Sequence, residues 1–258
     1  MTARAHGRIV FWEGASLWVL GTRPGEGRYP KTAFHSHHAV QVTLTLRGGF
    51  TLETRDEQVA GGVVAVAPDT EHALVEAEGI VAHLFVDPEG RMGRTLQRAL
   101  FSSTGLVAIQ ASQLTGLSER LLADFEALHR NDASLISLGR SLLAQLACEG
   151  GGDERPEARV RKMSAWAAAR LDKPLSLMDA AAHVGLSSGR ARHLFVESTG
   201  LPFRTYLLWL RLTKALDLFS AGASLTEAAH AAGFSDSSHL SRTFRRMFGI
   251  APDSLRVS

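Results

Sequence analysis

The 258 residues, of which 45% are hydrophobic and 21% charged, have the composition of an ordinary folded protein, and their number favours two domains. The single cysteine, Cys148, excludes an internal disulfide, and no stretch approaches the roughly 18 uncharged apolar residues of a membrane-spanning helix. We therefore expect a cytoplasmic protein in a reducing compartment, without a membrane partner and with Cys148 buried in its apolar run.

The formal net charge of +2 is unevenly distributed along the chain. Residues 159–258 contain fourteen Lys and Arg against seven Asp and Glu, which gives +7 and leaves −5 for residues 1–158. Such a split favours a C-terminal part that meets a polyanion and an N-terminal part with another task. An uneven but merely solvated surface is the alternative.

The first part of the chain, up to about Val86, has the pattern of short β-strands. Four segments between residues 34 and 87 alternate apolar with polar residues or form short Val-rich runs, and Gly-Gly pairs and prolines separate them. Several such strands in a row predict a barrel or a sandwich. We expect residues 1–92 to form this β-domain.

The segment HSHHAVQVTLTLRGG places polar side chains at even spacing. In a strand, His35, His37 and Gln41 would share one face. About 30 residues later, His72 in APDTEH stands at the start of a further strand. The apolar residues of the first segment would occupy its other face: Val40, Val42, Leu44 and Leu46.

From about Gly93 the apolar residues take helical spacing, so residues 93–150 are expected to form a helical connector. The stretch GGDERPEA, residues 151–158, has the composition of a linker. One apolar stripe in the connector would pack on the β-domain or across a dimer axis: Leu114, Leu117, Leu121, Leu122, Phe125 and Leu128.

An internal repeat lies in the C-terminal part. The segments SLMDAAAHVGLS from Ser176 and SLTEAAHAAGFS from Ser224 match at Ser, Leu, Ala, Ala, Gly and Ser with an offset of 48. In each copy a serine and an acid three residues later have the spacing of a helix cap, and the glycine can end the short helix in the left-handed conformation. An apolar helix, roughly 203–221, joins the two copies.

A second helix follows each turn. Apolar residues at inward spacing define its buried face in the two copies: Ala191, Leu194 and Phe195, then Leu240, Phe244 and Phe248. The outward face carries small and donor side chains: Gly189, Arg190, Arg192, His193, Ser237, Ser238, His239, Ser241, Arg242, Arg245 and Arg246. Because arginine bridges guanine O6 and N7 and a helix fits the major groove, this face is typical of DNA recognition by a helix-turn-helix. A solvated basic face is the alternative, and the duplication weighs against it.

The stretch AAHAAGFSDSSHLSRTFRRMFGIAPDSLR, with Phe234, Phe248-Gly249 and Pro252, closely resembles the signature of the AraC/XylS transcription regulators. The resemblance covers about two-fifths of the chain and implies an AraC-type DNA-binding domain in residues 159–258. It further implies double-stranded promoter DNA as a partner, RNA polymerase as a partner if the protein is an activator, and a possible homodimer. Gly189 departs from the family pattern, in which a larger side chain is common.

The histidine segment resembles the cupin pattern, in which an HxH motif with an acid four positions on is followed by a Pro-turn-His motif. It implies that His35, His37, Gln41 and His72 bind an effector, and that the three histidines hold nickel, zinc or copper. Gln41 stands where metal-holding cupins carry glutamate, which weakens a catalytic interpretation. The same set resembles the nickel-responsive, NimR-like branch of the AraC/XylS family. An organic effector and no ligand at all are the alternatives.

The predicted fold is therefore α+β with two domains: a cupin-like antiparallel β-barrel with following helices, and an all-α double helix-turn-helix. The predicted function is that of a non-enzymatic, sequence-specific transcriptional regulator that senses a small molecule or a metal ion. A metal-dependent cupin enzyme and an effector-independent DNA-binding protein are the competing hypotheses.

Overall fold

The computed structural model describes residues 5–12, 14–22, 29–101, 105–110, 112, 114–127, 131–147, 158–199 and 201–257. The chain forms two compact units: residues 1–152 together with 244–258, and residues 153–243. The predicted linker, residues 151–158, lies outside the described residues except for Ala158, as do Cys148 and Leu128. In the described ranges, no helix combines the length and the apolar character that a bilayer span requires.

The first unit is built on a sheet whose strands run in the order β7-β5-β3-β6-β2-β1-β8, with β4 also paired to β3. Their bounds are β1 (Ala5–Trp12), β2 (Ala15–Gly21), β3 (Val40–Glu53), β4 (Gln58–Ala60), β5 (Val63–Val66), β6 (Ala73–Val86), β7 (Leu106–Ile109) and β8 (Leu255–Val257). The pairings are antiparallel except for β1 with β8, which is parallel. The expected antiparallel sheet is confirmed, although its pairings among the described residues form an open path and do not close a barrel by hydrogen bonds.

Strands β3 and β6 form the longest ladder, and each has 14 residues. The expectation of short strands separated by glycines is wrong here, because Gly48 and Gly79 face each other within the ladder. Both have positive φ, 82° and 76°, and a Cβ on either would lie within 2.4 Å of an opposite carbonyl oxygen. These glycines therefore allow the two backbones to approach closely instead of ending the strands.

The first unit also contains the helices α1 (Arg91–Leu100), α2 (Thr115–Glu126) and α3 (Asp132–Ala147). Their apolar faces share one core with the strand residues that point to the same side, such as Val42 and Leu44, both fully buried. Leu114 and Leu121 of the predicted stripe lie in this core, which confirms its core-packing interpretation. The region predicted as a helical connector, residues 93–150, also contains the short strand β7, which pairs with the edge of β5.

The second unit is helical. Its elements are α4 (Ala158–Ala168), α5 (Leu177–His183), α6 (Ser188–Thr199), α7 (Phe203–Ser220), α8 (Leu225–Ala231) and the first residues of α9 (Ser237–Phe248). Helix α7 is the predicted connecting helix. The C-terminal region departs from an all-α fold after α9, where a 3-10 turn, Pro252–Ser254, leads into β8, and these residues belong to the first unit.

Candidate functional site

The first helix-turn-helix consists of α5, a tight turn and α6. Ser176 caps α5, since its Oγ accepts a hydrogen bond from the N–H of Asp179 at 3.2 Å. Ala180 and Ala181 are buried, as expected for alanines that let a second helix cross closely. Gly185 has a φ of 67°, so the glycine takes the predicted left-handed conformation after the helix. Local sequence therefore determines this unit.

The second helix-turn-helix, α8 and α9, repeats the arrangement with a complete capping box. Ser224 Oγ accepts from the N–H of Glu227 at 3.2 Å, and Glu227 Oε2 accepts from the N–H of Ser224 at 2.9 Å. These bonds hold the pKa of Glu227 below its ordinary value. Gly233 has a φ of 81°, and a Cβ there would lie 2.1 Å from the carbonyl oxygen of Leu171. Its turn therefore excludes any side chain.

Asp236 fixes the start of α9, and this role was not predicted from the sequence. Its Oδ1 accepts from the N–H of His239 at 2.7 Å, and this bond, with a further one from Ser235 Oγ, lowers the pKa of Asp236. The His239 ring lies edge-on to Phe234, with centroids 5.2 Å apart. The signal was available, because Asp directly before the first helical residues is a common N-cap.

The predicted DNA-contacting residues lie on solvent-facing sides of α6 and α9. In α6 all four are exposed: Gly189, Arg190, Arg192 and His193. In α9 the exposed ones are Ser238, Arg242, Arg245 and Arg246, and the partly exposed ones are Ser237, His239 and Ser241. The apolar positions of the same helices, such as Phe195 and Phe244, are buried at 1% and 0% exposure. Contacts between these residues and DNA stay predictions.

The first unit brings three histidines together beneath the sheet. Each of His35, His37 and His72 has a ring nitrogen that lies within 4.8 Å of a ring nitrogen of the other two. The three residues are 7%, 2% and 1% exposed, respectively. Residues 34–39 are not a regular strand, contrary to the expectation. Instead, His35 and His72 form an isolated bridge with backbone hydrogen bonds of 3.0 and 2.9 Å, which sets their ring centroids 4.4 Å apart.

Backbone carbonyls fix the tautomers of two of these rings. Nδ1 of His35 lies 2.8 Å from the oxygen of Ala33, and Nδ1 of His72 lies 2.8 Å from the oxygen of Thr70. Because a carbonyl oxygen only accepts, each Nδ1 carries the proton and each neutral ring keeps its lone pair on Nε2. Burial lowers the pKa of His35 to about 3 and also lowers the pKa of His37 and His72. The three rings are therefore neutral at pH 7.

Gln41 joins this cluster from strand β3. Its Oε1 lies 2.8 Å from Nε2 of His37 and 3.2 Å from Nε2 of His72. Its Nε2 donates to Thr43 Oγ1 at 2.9 Å. The two-residue spacing puts both side chains on one face, as expected for a strand, whereas Val40, Val42 and Leu44 face the core on the other side.

The polar chain continues beyond Thr43 to residues that were not predicted. His83 Nδ1 lies 3.1 Å from Thr43 Oγ1, and His83 Nε2 lies 3.3 Å from the hydroxyl of Tyr29. Burial lowers the pKa of His83 to about 4 and raises that of Tyr29. A lone histidine in the Val-rich strand β6 was the available signal for His83, whereas nothing local marked Tyr29.

A fifth buried histidine, His38, makes hydrogen bonds with two carboxylates outside this series of polar side chains. Its ring lies 2.8 Å from Asp69 Oδ2 and 2.8 Å from Glu89 Oε1. Burial alone would lower the pKa of His38, but the two hydrogen bonds raise it to about 9. Asp69 also donates its backbone N–H to the oxygen of His37 at 3.0 Å and has a φ of 59°. His38 therefore holds the turn that supports His37.

The histidine cluster opens into a small cavity that offers about 50 Å³ to the centre of a water molecule. Its lining is partly polar and partly aromatic: Trp18, Leu20, Tyr29, Thr32, His35, Gln41, Leu52, His72, Leu74, His83, Phe85, Phe248 and Ile250. Since one water needs about 10–15 Å³ on this measure, the space holds an ion with a few waters or a very small molecule.

Comparison with known proteins finds similarities in the C-terminal part and over most of the chain. Residues 180–258 match the family model described as a helix-turn-helix domain. Among the relatives is the HTH-type transcriptional activator RhaS of Pectobacterium atrosepticum, which is 27% identical over 90% of both chains. The uncharacterized HTH-type transcriptional regulator YidL of Escherichia coli is 32% identical over 57% of this chain and 50% of its own length.

Solved structures show that the two-part fold is shared. The chain resembles apo ToxT K231A from Vibrio cholerae with a TM-score of 0.61 and 13% identity over 93% of this chain and 96% of that one. It also resembles wild-type ToxT bound to an unsaturated fatty acid, with a TM-score of 0.57 and 14% identity over 94% and 95% of the chains. These likenesses confirm an antiparallel-sheet domain followed by a helix-turn-helix domain.

Proposed function

We propose that this protein, a DNA-binding transcriptional regulator with an AraC-type helix-turn-helix domain, senses a divalent transition-metal ion through His35, His37 and His72. The observation that carries the metal assignment is the fixed protonation of two rings, His35 and His72, by backbone carbonyls. Metal-binding histidines usually donate their second ring N–H to a carbonyl or carboxylate, which orients the ring and raises its basicity. Nickel, zinc and copper all suit imidazole ligands.

The residues fit such an ion in charge as well as in orientation. Because the rings are already neutral, they bind without first losing a proton. The amide oxygen of Gln41 supplies a fourth ligand atom beside two of the three histidines. An amide is a weaker ligand than a carboxylate, so reversible binding, as a sensor requires, is expected in place of permanent capture.

The size of the cavity favours an ion over an organic effector. Pockets for organic ligands usually measure about 300–1,000 Å³, whereas this cavity offers about 50 Å³. Gln41 stands where metal-dependent cupins carry a carboxylate, and its neutral amide cannot accept a proton as a general base. The cavity therefore supports a sensor over a metal-dependent enzyme.

We further propose that the C-terminal residues of the first unit report on the cavity. The ring of Phe248, the last residue of α9, lies 5.0 Å from Trp18 and 6.0 Å from His37 between centroids. Ala33, whose oxygen accepts from His35, donates its N–H to the oxygen of Gly249 at 2.9 Å. A change at the histidines thus reaches the end of the recognition helix through adjacent contacts.

DNA recognition is assigned to the exposed faces of α6 and α9, with Arg192 and Arg242 as the candidates for guanine contacts. By analogy with relatives named as transcriptional activators, we propose activation through contact with RNA polymerase. A homodimer would place two such double units on separated half-sites.

Calorimetric titration of the chelator-treated full chain with Ni²⁺, Zn²⁺ or Cu²⁺ tests the sensor. We expect one ion per chain and, because the rings are neutral at pH 7, a binding enthalpy that changes little between buffers of different ionisation heat. His72→Ala should lose the site, whereas His230→Ala, which removes an exposed histidine of α8, should keep it. Equal binding by the two variants would contradict the assignment.

A further inference from the structure

We propose that the side-chain amide of Gln41 turns over when the ion binds, and that Thr43 passes this reversal to His83 as a change of ring tautomer. The inference rests on the proposed function, because it concerns the same histidine site. The side-chain amide of Gln41 has an oxygen that accepts hydrogen bonds and a nitrogen that donates them, so its orientation decides which neighbours must donate.

The orientation with Oε1 toward the histidines suits a bound cation. Nδ1 of His72 donates to Thr70, so the Nε2 that lies 3.2 Å from Oε1 of Gln41 has a lone pair and no proton. Two lone pairs at this distance repel each other unless a positive ion draws on both. In this orientation the amide oxygen and the imidazole nitrogens face the same ion.

The reversed orientation suits the site without an ion. Oxygen and nitrogen of an amide have nearly the same shape, so Gln41 fits its place either way round. After reversal, its two N–H groups point to Nε2 of His37 and of His72 at the same distances of 2.8 and 3.2 Å. The lone pair on Nε2 of His72 then has a donor, and Nε2 of His37 has one as well when the proton of that ring lies on Nδ1. A buried polar group that lacks a partner is costly, which ties the orientation of the amide to the ion.

The hydroxyl of Thr43 transmits the reversal of the Gln41 amide to His83. With the ion bound, the amide N–H donates to Thr43, and the Thr43 hydroxyl donates to Nδ1 of His83, whose proton then lies on Nε2 toward Tyr29. Without the ion, the Thr43 hydroxyl donates to the amide oxygen. His83 then donates from Nδ1 to Thr43 and accepts at Nε2 from Tyr29. In both states, every hydrogen bond between these side chains joins a donor to an acceptor.

Burial restricts the hydrogen-bonded series from Gln41 to Tyr29 to these two states. Thr43, His83 and Tyr29 are 0%, 8% and 6% exposed, so bulk water does not readily replace a mispaired donor or acceptor. Thr43 and His83 also face each other in the register of β3 with β6, which fixes the distance between their side chains. Thr43, which acts through Gln41 and His83, is accordingly a positioning residue for the site.

The test is nitrogen NMR of the full chain labelled with ¹⁵N-histidine, because two-bond ¹H–¹⁵N spectra distinguish the two tautomers. Zn²⁺ is the probe, and the spectrum of His83→Gln assigns the His83 signals. We expect His83 to carry its proton on Nδ1 before addition of Zn²⁺ and on Nε2 afterwards, whereas His35 and His72 keep Nδ1–H throughout. A His83 tautomer that stays the same while the signals of the three clustered histidines shift would overturn the reversal and leave the metal site intact. No shift of any of these signals would overturn both.

Two variants isolate the amide from a general effect of zinc. Gln41→Glu replaces the amide by a group that only accepts, so Thr43 must donate to it in both states and His83 should stay protonated on Nδ1. Thr43→Val removes the relay and should abolish the zinc-dependent change at His83, whereas Thr43→Ser should restore it. Thermal unfolding and the shifts of His35 and His72 show that each variant folds and binds zinc. A tautomer change that persists in Thr43→Val would contradict the proposed route.

Discussion

Acidification of the metal-free protein should destabilise the first unit, because its buried histidines are neutral in the folded state. Burial lowers the pKa of His35 to about 3 and that of His83 to about 4, against about 6.5 in the unfolded chain. Between these values the unfolded state binds more protons than the folded state, so the free energy of unfolding falls as the pH falls below about 6.5. At pH 5 each histidine contributes a loss of about 2 kcal/mol, since one pH unit corresponds to about 1.4 kcal/mol per proton.

His38 works in the opposite direction. Its pKa is raised to about 9 by Asp69 and Glu89 despite its burial, so its contribution is complete below about pH 6.5 and is lost as the pH rises through 9. The two effects together predict a maximum of stability near neutral pH. An effect of about 2 kcal/mol is small beside the gross terms of folding but is a substantial fraction of a typical net stability of about 5–15 kcal/mol.

Urea unfolding in the presence of a chelator at pH 5.0, 6.0 and 7.0 measures these slopes. His35 and His83 together predict a loss of about 4 kcal/mol from pH 7 to pH 5. Glu89, whose pKa burial raises to about 7, takes up its proton more readily in the folded state and offsets about 2 kcal/mol of this loss. His83→Gln should reduce that loss by about 2 kcal/mol, whereas His230→Ala, at an exposed position, should leave it unchanged. Stability that is constant or rises on acidification would refute the assignment of neutral, buried rings.

Three further predictions concern DNA binding, the turns and the path between the metal site and the DNA-binding helices. In fluorescence anisotropy, Arg242→Ala should weaken binding to the specific DNA site by about 1–3 kcal/mol. The control is Arg140→Ala, which removes an exposed arginine of α3. An equal loss on random DNA would make Arg242 a phosphate contact instead. Gly185→Ala should lower the free energy of unfolding, measured by heat or urea, by about 1–2 kcal/mol, because only its backbone is strained. Gly233→Ala should lower it further, because its Cβ also meets a carbonyl oxygen at 2.1 Å. Equal costs would contradict the close approach of Leu171 to Gly233. Phe248→Leu should leave calorimetric metal binding intact and reduce the effect of the ion on DNA affinity, and an unchanged effect would show that the signal does not pass through this ring.

The parts of the molecule that could be predicted from the sequence are those fixed by neighbours along the chain. The caps at Ser176 and Ser224 and the left-handed turns at Gly185 and Gly233 follow from residues no more than four positions away, so their spacing predicts them. The close approach of Leu171 to Gly233 joins distant residues and was not predicted. The side of β3 that bears Gln41 followed from alternation alone. The duplicated helix-turn-helix could thus be predicted from local spacing.

Features that depend on long-range pairing could not be predicted in this way. The partnership of Thr43 with His83 requires the register of β3 against β6, and that of His83 with Tyr29 joins residues 54 positions apart. The continuous strands through Gly48 and Gly79 arise only because the two glycines face each other. Likewise, β7 forms because β5 offers an open edge, which no local pattern at residues 106–109 reveals.

The most direct measurement is the affinity of the full chain for the DNA upstream of its own gene, determined by fluorescence anisotropy with and without one equivalent of Ni²⁺ or Zn²⁺. The expected result is an affinity that changes with the ion in the wild-type chain and in His230→Ala, but is the same with and without the ion in His72→Ala. A DNA affinity that ignores the ion in the wild-type chain, or that responds equally in His72→Ala, would contradict a regulator whose histidine site controls DNA binding.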